Sequence, residues 1–140
     1  MSKQITLILD DIKPINLNNC YTISSIGGKI RRFPSKEYKQ LESKVNLILR
    51  KYKNEINKFN NEFDANKHYL TASYTFYMPV LTKDKRISQR SGDCSNLVKA
   101  IEDIIFKNLT PDDSHITSML VEKIESKEIR TEISYTIKHL

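Results

Sequence analysis

Most of the residues suited to catalysis cluster around one predicted helix. Asp93 precedes this helix, and Lys99 and Asp103 lie within it. A second acidic pair, Asp112-Asp113, follows after the helix. Residues three, four and seven positions apart share one helical face, so Asn96, Lys99 and Asp103 form a single polar column. Mg²⁺ takes oxygen ligands and usually only a few carboxylates from a protein. The spacing therefore predicts carboxylates that hold Mg²⁺ beside a lysine that meets phosphate.

Basic residues form two dense segments, and one of them leads directly into Asp93. The formal net charge is +6, which alone is weak support for nucleic acid, because many basic proteins bind none. A nuclease, however, needs a basic approach that attracts phosphate beside an acidic site that cleaves it. We therefore predict that both segments contact DNA. Their residues are Lys29, Arg31 and Arg32 in the first segment and Lys83, Lys85, Arg86 and Arg90 in the second.

The order of these residues resembles the RusA family of Holliday-junction resolvases, and the resemblance covers nearly the whole chain. The family pattern is an Asp, a spacer, a second Asp, then Asn, two spacers and Lys, followed later by a paired Asp-Asp. Ser95 stands here where the family has its second Asp. The matching positions are Asp93, Asn96, Lys99 and Asp112-Asp113, while Asp103 and Lys123 match further family residues within and after the helix.

The resemblance implies a Mg²⁺-dependent endodeoxyribonuclease that resolves four-way junctions and other branched DNA in recombination and repair, with Mn²⁺ as the alternative ion. It also implies a symmetric homodimer, because two active sites related by a two-fold axis can nick opposing strands. Asn96 and Ser95 would orient the metal ligands by hydrogen bonding rather than bind the metal themselves. The implied catalytic residues are Asp93, Lys99, Asp112 and Asp113, and the implied metal ligands are Asp93, Asp103, Asp112 and Asp113.

Two other functions stay open at this point. Without a carboxylate at Ser95, the protein could bind junctions or other DNA and cleave weakly or not at all. It could also be a phage protein that engages a regulatory protein partner. Within the site, Lys99 and Asp103 could form only a surface ion pair, worth roughly 0.2–0.5 kcal/mol. Ser95 could simply be the helix N-cap. In that case Asp103 could replace the missing carboxylate, or Glu102 could do so through its longer side chain.

Apolar periodicity predicts the element order strand, helix, strand, helix, strand, strand. We expect a single domain over residues 1–140 of the α+β class, a small mixed β-sheet with helices packed on one side. Ser35 is the predicted N-cap of the first helix, and Leu47 and Leu49 are predicted to widen its apolar stripe. The predicted segments are a strand at 5–9, a polar loop at 14–25, an extended piece at 29–33, a helical stripe at 38–56, a strand at 69–78, a basic loop at 80–92, a helix at 95–107, and strands at 116–124 and 129–137 paired as a hairpin.

The remaining sequence features concern the cellular compartment. Cys20 and Cys94 are far apart in the chain and form no CxxC motif, so we predict two reduced thiols. No apolar run approaches the roughly 20 residues of a membrane span. Residues 1–4 lack the basic and apolar regions of a signal peptide. We therefore expect a cytoplasmic protein of a bacterial cell, encoded by the host or by a phage or prophage.

Overall fold

A four-stranded mixed sheet forms the centre of the fold, with helices on one of its faces. The computed structural model describes residues 3–140 except the side chain of Ile26. Met1 and Ser2, which belong to the segment predicted to lack signal-peptide features, lie outside the described residues. The strands are β1 (Lys3–Asp10), β2 (Tyr21–Ile26), β3 (Lys29–Pro34), β4 (His68–Met78), β5 (Ile116–Glu125) and β6 (Arg130–His139), and the helices are α1 (Lys36–Leu49), α2 (Lys53–Glu62) and α3 (Cys94–Phe106). The predicted α+β class is confirmed.

The alternation of β4 explains why one sheet face is buried. Successive side chains of a strand point to opposite faces. Every second residue of β4 from Leu70 to Met78 is buried, whereas the residues between them are only partly covered. The inward residues of β1 and β6 join the same core, so the apolar faces of α1, α2 and α3 have a continuous surface to cover. The inward residues of β4 are Leu70, Ala72, Tyr74, Phe76 and Met78.

The strand order is β1-β6-β4-β5, and it contradicts the predicted hairpin of β5 and β6. β4 lies between these two strands, parallel to β5 and antiparallel to β6. The connection therefore crosses the end of β4, where the N–H of Ser126 donates to the carbonyl of Met78 at 3.0 Å. The prediction was wrong because strands adjacent in sequence need not pair, and the long central β4 takes a partner on each side.

A separate two-stranded hairpin replaces residues 21–25 of the predicted polar loop and includes the extended piece predicted at 29–33. β2 pairs with β3 in antiparallel register, from Tyr21 opposite Pro34 to Ile26 opposite Lys29. Gly27 and Gly28 connect the strands with φ values of +60° and +77°. Two consecutive residues with positive φ suit the two-residue hairpin turn whose twist matches the strands. The Asn-rich segment before β2 supplies only the short 3-10 turn Leu17–Asn19.

The predicted long helix is two helices separated by a 3-10 turn at Arg50–Tyr52. Ser35 caps α1 as predicted, since its side chain accepts a hydrogen bond from the N–H of Tyr38 at 3.1 Å. Leu49 is buried, but Leu47 is 61% exposed, so its predicted place in the apolar stripe is wrong. Within the described residues, Cys20 and Cys94 are unpaired thiols, and no helix is long and apolar enough to cross a membrane.

Candidate active site

Helix α3 begins one residue earlier than predicted. Its N-cap is Asp93, with extended backbone angles of φ −84° and ψ 138°. The carbonyl of Asp93 accepts hydrogen bonds from the N–H groups of Asn96 and Leu97. Ser95 is an exposed residue of the first turn, so its predicted role as N-cap is wrong. The carboxylate of Asp93 makes no capping hydrogen bond among the described residues and remains exposed beside the helix N-terminus.

Burial of the opposite face orients the polar column of α3. The apolar residues fix the rotation of the helix against the sheet, because they pack into the core at helical spacing. Asn96, Lys99 and Asp103, the predicted polar column, are consequently half-buried at the margin of the helix. The buried apolar residues are Leu97, Val98, Ala100, Ile101, Ile104 and Ile105.

Three carboxylates meet next to this column and form what we term the acidic cluster, Glu102, Asp103 and Asp113. One oxygen from each lies within 4.8 Å of the other two. Lys99 reaches all three: its Nζ is 3.0 Å from Asp103, 3.2 Å from Asp113 and 3.8 Å from Glu102. The predicted neighbours Lys99, Asp103 and Asp113 are therefore together, although about 10 residues separate Asp103 from Asp113 in sequence.

Lys99 carries a firmly held positive charge. Its hydrogen bond to Asp103 is the main reason why the pKa of Lys99 is raised above its ordinary value; burial opposes this rise, and the hydrogen bond to Asp113 adds to it. The ammonium group thus compensates part of the negative charge of the acidic cluster. Since Lys99 contacts Asp113 outside α3 as well as Glu102 and Asp103 on its own helix, a surface ion pair alone does not describe it.

Glu102, which the sequence offered only as an alternative to Asp103, is the third member of the acidic cluster. Its residue is 6% exposed, and Tyr74 donates a hydrogen bond from its hydroxyl to Glu102 Oε1 at 3.1 Å. Tyr135 lies 2.8 Å from the same hydroxyl and must donate to it, because Tyr74 spends its one proton on Glu102. Burial raises the pKa of Glu102 above its ordinary value of 4.5, against an opposing effect of Tyr74.

Asp112 and Asp93 lie outside the acidic cluster. Asp112 caps the 3-10 turn Asp113–His115, accepting hydrogen bonds from the N–H of Asp113 and the hydroxyl of Ser114. The bond from Ser114 is the main reason why the pKa of Asp112 is lowered. Asp93 is ten helical residues before Asp103, which corresponds to about 15 Å along the axis. The predicted ligand set is therefore not brought together as one group.

Two open clefts border the acidic cluster. One, of about 380 Å³, is lined by Glu102 and Asp113 together with residues at the start of β5. The other, of about 410 Å³, is lined by Asp103, Asp112 and Asp113 and extends to Tyr21 and Pro34. The carboxylates are consequently accessible from two sides, and the second side ends at the base of the β2–β3 hairpin.

Residues 11–136 match a protein-family model described as Endodeoxyribonuclease RusA. The chain belongs to the RusA family. It is therefore an endodeoxyribonuclease, a hydrolase of phosphodiester bonds in DNA, and the family resolves Holliday junctions. No curated protein matches the sequence. Resolving nucleases generally depend on divalent metal ions, and the acidic cluster supplies the hard oxygen donors that such ions bind.

The basic loop of this RusA-family chain is held at both ends by β5. At its start, Glu125 accepts hydrogen bonds from the N–H groups of Val80 and Leu81. At its end, Lys123 donates to Ser91 Oγ at 2.8 Å and to the carbonyl of Gly92 at 2.6 Å. The tip between these anchors is exposed, with the predicted DNA-binding residues Lys83, Lys85, Arg86 and Arg90. Lys29, Arg31 and Arg32 are likewise exposed, on β3.

The signal that identifies Glu102 was available in the sequence. Val98, Glu102 and Ile105 occur at helical spacing, so a carboxylate stands in the middle of the buried face of α3. Charged residues are almost never fully buried without a partner. A glutamate at such a position indicates either a buried hydrogen-bond donor or a functional site, and in this structure the hydroxyl of Tyr74 is such a donor.

Proposed function

We propose that this RusA-family nuclease is Mg²⁺-dependent, resolves four-way DNA junctions, and holds its metal at the acidic cluster, with Mn²⁺ as the alternative ion. The observation that carries the proposal is the convergence of Glu102, Asp103 and Asp113 around the Nζ of Lys99. The ammonium group lies where three carboxylates attract a cation. The donors are all oxygens, which favours a hard divalent ion over zinc or copper.

The residues of the site would divide the chemistry between them. A divalent ion bound to the carboxylates supplies an activated water and stabilises charge on the phosphoryl oxygens. Lys99 binds a non-bridging phosphate oxygen as a point cation. Asp93 acts at the other end of the polar column, beside the helix N-terminus. Asn96, half-buried between them, orients the phosphate or a water by hydrogen bonding.

The basic loop would deliver the DNA backbone to this site. Its anchors on β5 fix where Arg90 and Asp93 stand, because Ser91 and Gly92 are bonded to Lys123. The exposed tip leaves Lys83, Lys85 and Arg86 free to follow the phosphates of a flexible substrate. In this arrangement the loop contributes affinity and the acidic cluster contributes cleavage.

We extend the proposal to a symmetric homodimer, because two sites related by a two-fold axis would nick opposing strands of a junction. β5 supports it as the outer strand of the sheet with exposed apolar side chains, Leu120 at 57% and Ile124 at 38%. Sedimentation of the wild-type chain should give twice the monomer mass at micromolar concentration. A monomer that still cuts both strands of a junction would refute this part.

Cleavage of a synthetic four-way junction beside a linear duplex of the same arm sequence tests the function. We expect paired nicks near the branch point with Mg²⁺, none with EDTA, and recovery with Mn²⁺. A control junction lacking the scissile phosphates shows whether binding survives without turnover. Tight binding without cleavage at any divalent ion concentration would establish the binding-only alternative. Equal cleavage of duplex and junction would refute the junction specificity.

A further inference from the structure

The β2–β3 hairpin presents two isoleucines to solvent. Ile23 is 71% exposed and Ile30 is 78% exposed. In the register of the hairpin, Ile23 is opposite Arg32 and Ile30 is opposite Ser25. Cross-strand partners share a face, and residues two apart in a strand do as well. Ile23, Ile30 and Arg32 therefore lie on one face of the hairpin.

The hairpin that carries these isoleucines is itself basic. No Asp or Glu occurs between Asp11 and Glu37, whereas Lys29, Arg31 and Arg32 all lie on β3. The charged side chains of the hairpin itself are therefore all positive. The combination of exposed apolar side chains and cations on one hairpin is complementary to DNA whose bases are unstacked.

The base of the hairpin is fixed next to the acidic cluster. Tyr21 stacks on Tyr38 of α1 with ring centroids 5.9 Å apart, and the guanidinium of Arg32 lies 4.8 Å from the Tyr21 ring centroid. Tyr21 also lines the cleft of about 410 Å³ that contains Asp103 and Asp113. DNA bound with a phosphate at the acidic cluster would therefore lie within reach of the hairpin.

We propose that the β2–β3 hairpin is a wedge in which Ile23 and Ile30 contact the unstacked bases at the branch point of the DNA substrate. This inference rests on the proposed junction specificity and adds the element that recognises the branch. A two-stranded ribbon fits the grooves of DNA, and isoleucine side chains at a distorted step can replace the lost stacking. Lys29 and Arg31, on the other face, contact the flanking phosphates.

The test measures base unstacking without cleavage. A four-way junction with 2-aminopurine at the branch point is titrated with protein in EDTA, and its fluorescence is compared with that of a linear duplex carrying the same base. Wild-type protein should raise the junction fluorescence severalfold. Ile23→Ser with Ile30→Ser should abolish most of that increase and weaken junction binding by roughly tenfold, with duplex binding unchanged. Leu47→Ser, which removes a 61% exposed side chain of α1, is the matched control and should behave as wild type.

Other outcomes overturn the wedge. An unchanged fluorescence response in the double variant would show that the isoleucines do not contact the branch. A double variant that loses dimer mass in sedimentation would place the isoleucines in an interface between copies of the chain. Because the measurement requires no hydrolysis, an isoleucine-dependent response in a protein that does not cleave would support the wedge while refuting the proposed Mg²⁺-dependent cleavage. The two proposals therefore fail separately.

Discussion

Replacing Glu102 by Gln should stabilise the protein and weaken its metal site. The variant keeps the size of the side chain and its acceptor oxygen for Tyr74 but removes one negative charge from the acidic cluster. Glu102 is repelled by two carboxylates whose oxygens lie within 4.8 Å and is attracted by Lys99 at 3.8 Å. With an effective dielectric constant of about 20, each repulsion is worth about 3.5 kcal/mol and the attraction about 4.4 kcal/mol.

The balance is a net repulsion of roughly 2.5 kcal/mol, to which the cost of burying the charge adds. Relaxation of the half-exposed partners will reduce this gain, so we expect Glu102→Gln to raise the free energy of unfolding by about 2 kcal/mol without metal. For a domain of this size, that corresponds to an increase in Tm of roughly 5–10 °C. Thermal unfolding in EDTA, followed by circular dichroism, measures it.

The pH dependence gives an independent check. Burial raises the pKa of Glu102 in the folded protein, so the folded state binds more protons than the unfolded chain between the two pKa values. The contribution of Glu102 to wild-type stability therefore falls as the pH rises above the ordinary value of 4.5. The advantage of Glu102→Gln should be small below that pH and should grow as the pH rises. Glu128→Gln, in an exposed connection, is the control and should show no such trend.

Divalent metal should reverse the order of the two proteins. Ligand binding to the folded state stabilises it by RT ln(1 + [L]/Kd), about 2.7 kcal/mol at a hundredfold excess over Kd. Wild type should gain stability from Mg²⁺, and Glu102→Gln should gain much less and cleave junctions at least roughly tenfold more slowly. A variant that is less stable than wild type in EDTA would refute the electrostatic reasoning. An equal gain from Mg²⁺ would show that Glu102 is not a ligand.

Three further predictions concern the other predicted site residues. Asp113→Asn should abolish cleavage yet leave junction binding, measured by gel shift in EDTA, within about twofold, because the basic segments still hold phosphate; wild-type cleavage would remove Asp113 from the site. Charge reversal of Lys85, Arg86 and Arg90 should lower the log–log salt slope of duplex binding by about 0.9 for each lost phosphate contact, and an unchanged slope would mean that the loop does not touch DNA. Ser95→Ala should change Tm by less than about 2 °C, since an exposed substitution away from the cap is usually within roughly 0.5 kcal/mol; a loss comparable to that of a removed N-cap would contradict the observed start of α3.

Helix α3 and strand β4 were predictable because one short-range pattern determines each of them. The spacing of Leu97, Ile101 and Ile105 fits a helix buried on one side, and strict alternation from Leu70 to Phe76 fits a strand. Each pattern shows which side chains are buried and which are more exposed, and neither requires information on neighbouring elements. The meeting of Lys99 with Asp103 followed from the same helical geometry.

The strand order and the hairpin were not predictable in the same way. Ile116–Glu125 and Arg130–His139 each read correctly as strands, but their pairing depends on where β4 lies, which no local pattern specifies. The β2 segment Tyr21–Ile26 contains two serines, and its side chains from Thr22 to Ser25 are exposed, so burial provides little periodic signal. The Gly27-Gly28 turn was visible, but a turn alone does not show that both flanks are extended.

The proposed metal site lies at a different position along the axis of α3 from the one that the family pattern indicates. Ser95 and Glu102 are seven residues apart, so they share a helical face about 10 Å apart along the axis. That distance is too long for Glu102 to restore the ligand missing at Ser95. Instead, the proposed metal site lies toward the C-terminal half of the helix, where Asp113 approaches from the turn capped by Asp112. The helix dipole opposes carboxylates at that end, and Lys99 and Tyr74 compensate by charge and by hydrogen bonding. A site displaced in this direction opens onto the cleft that ends at the hairpin, so the proposed wedge and the proposed metal site favour the same path for DNA.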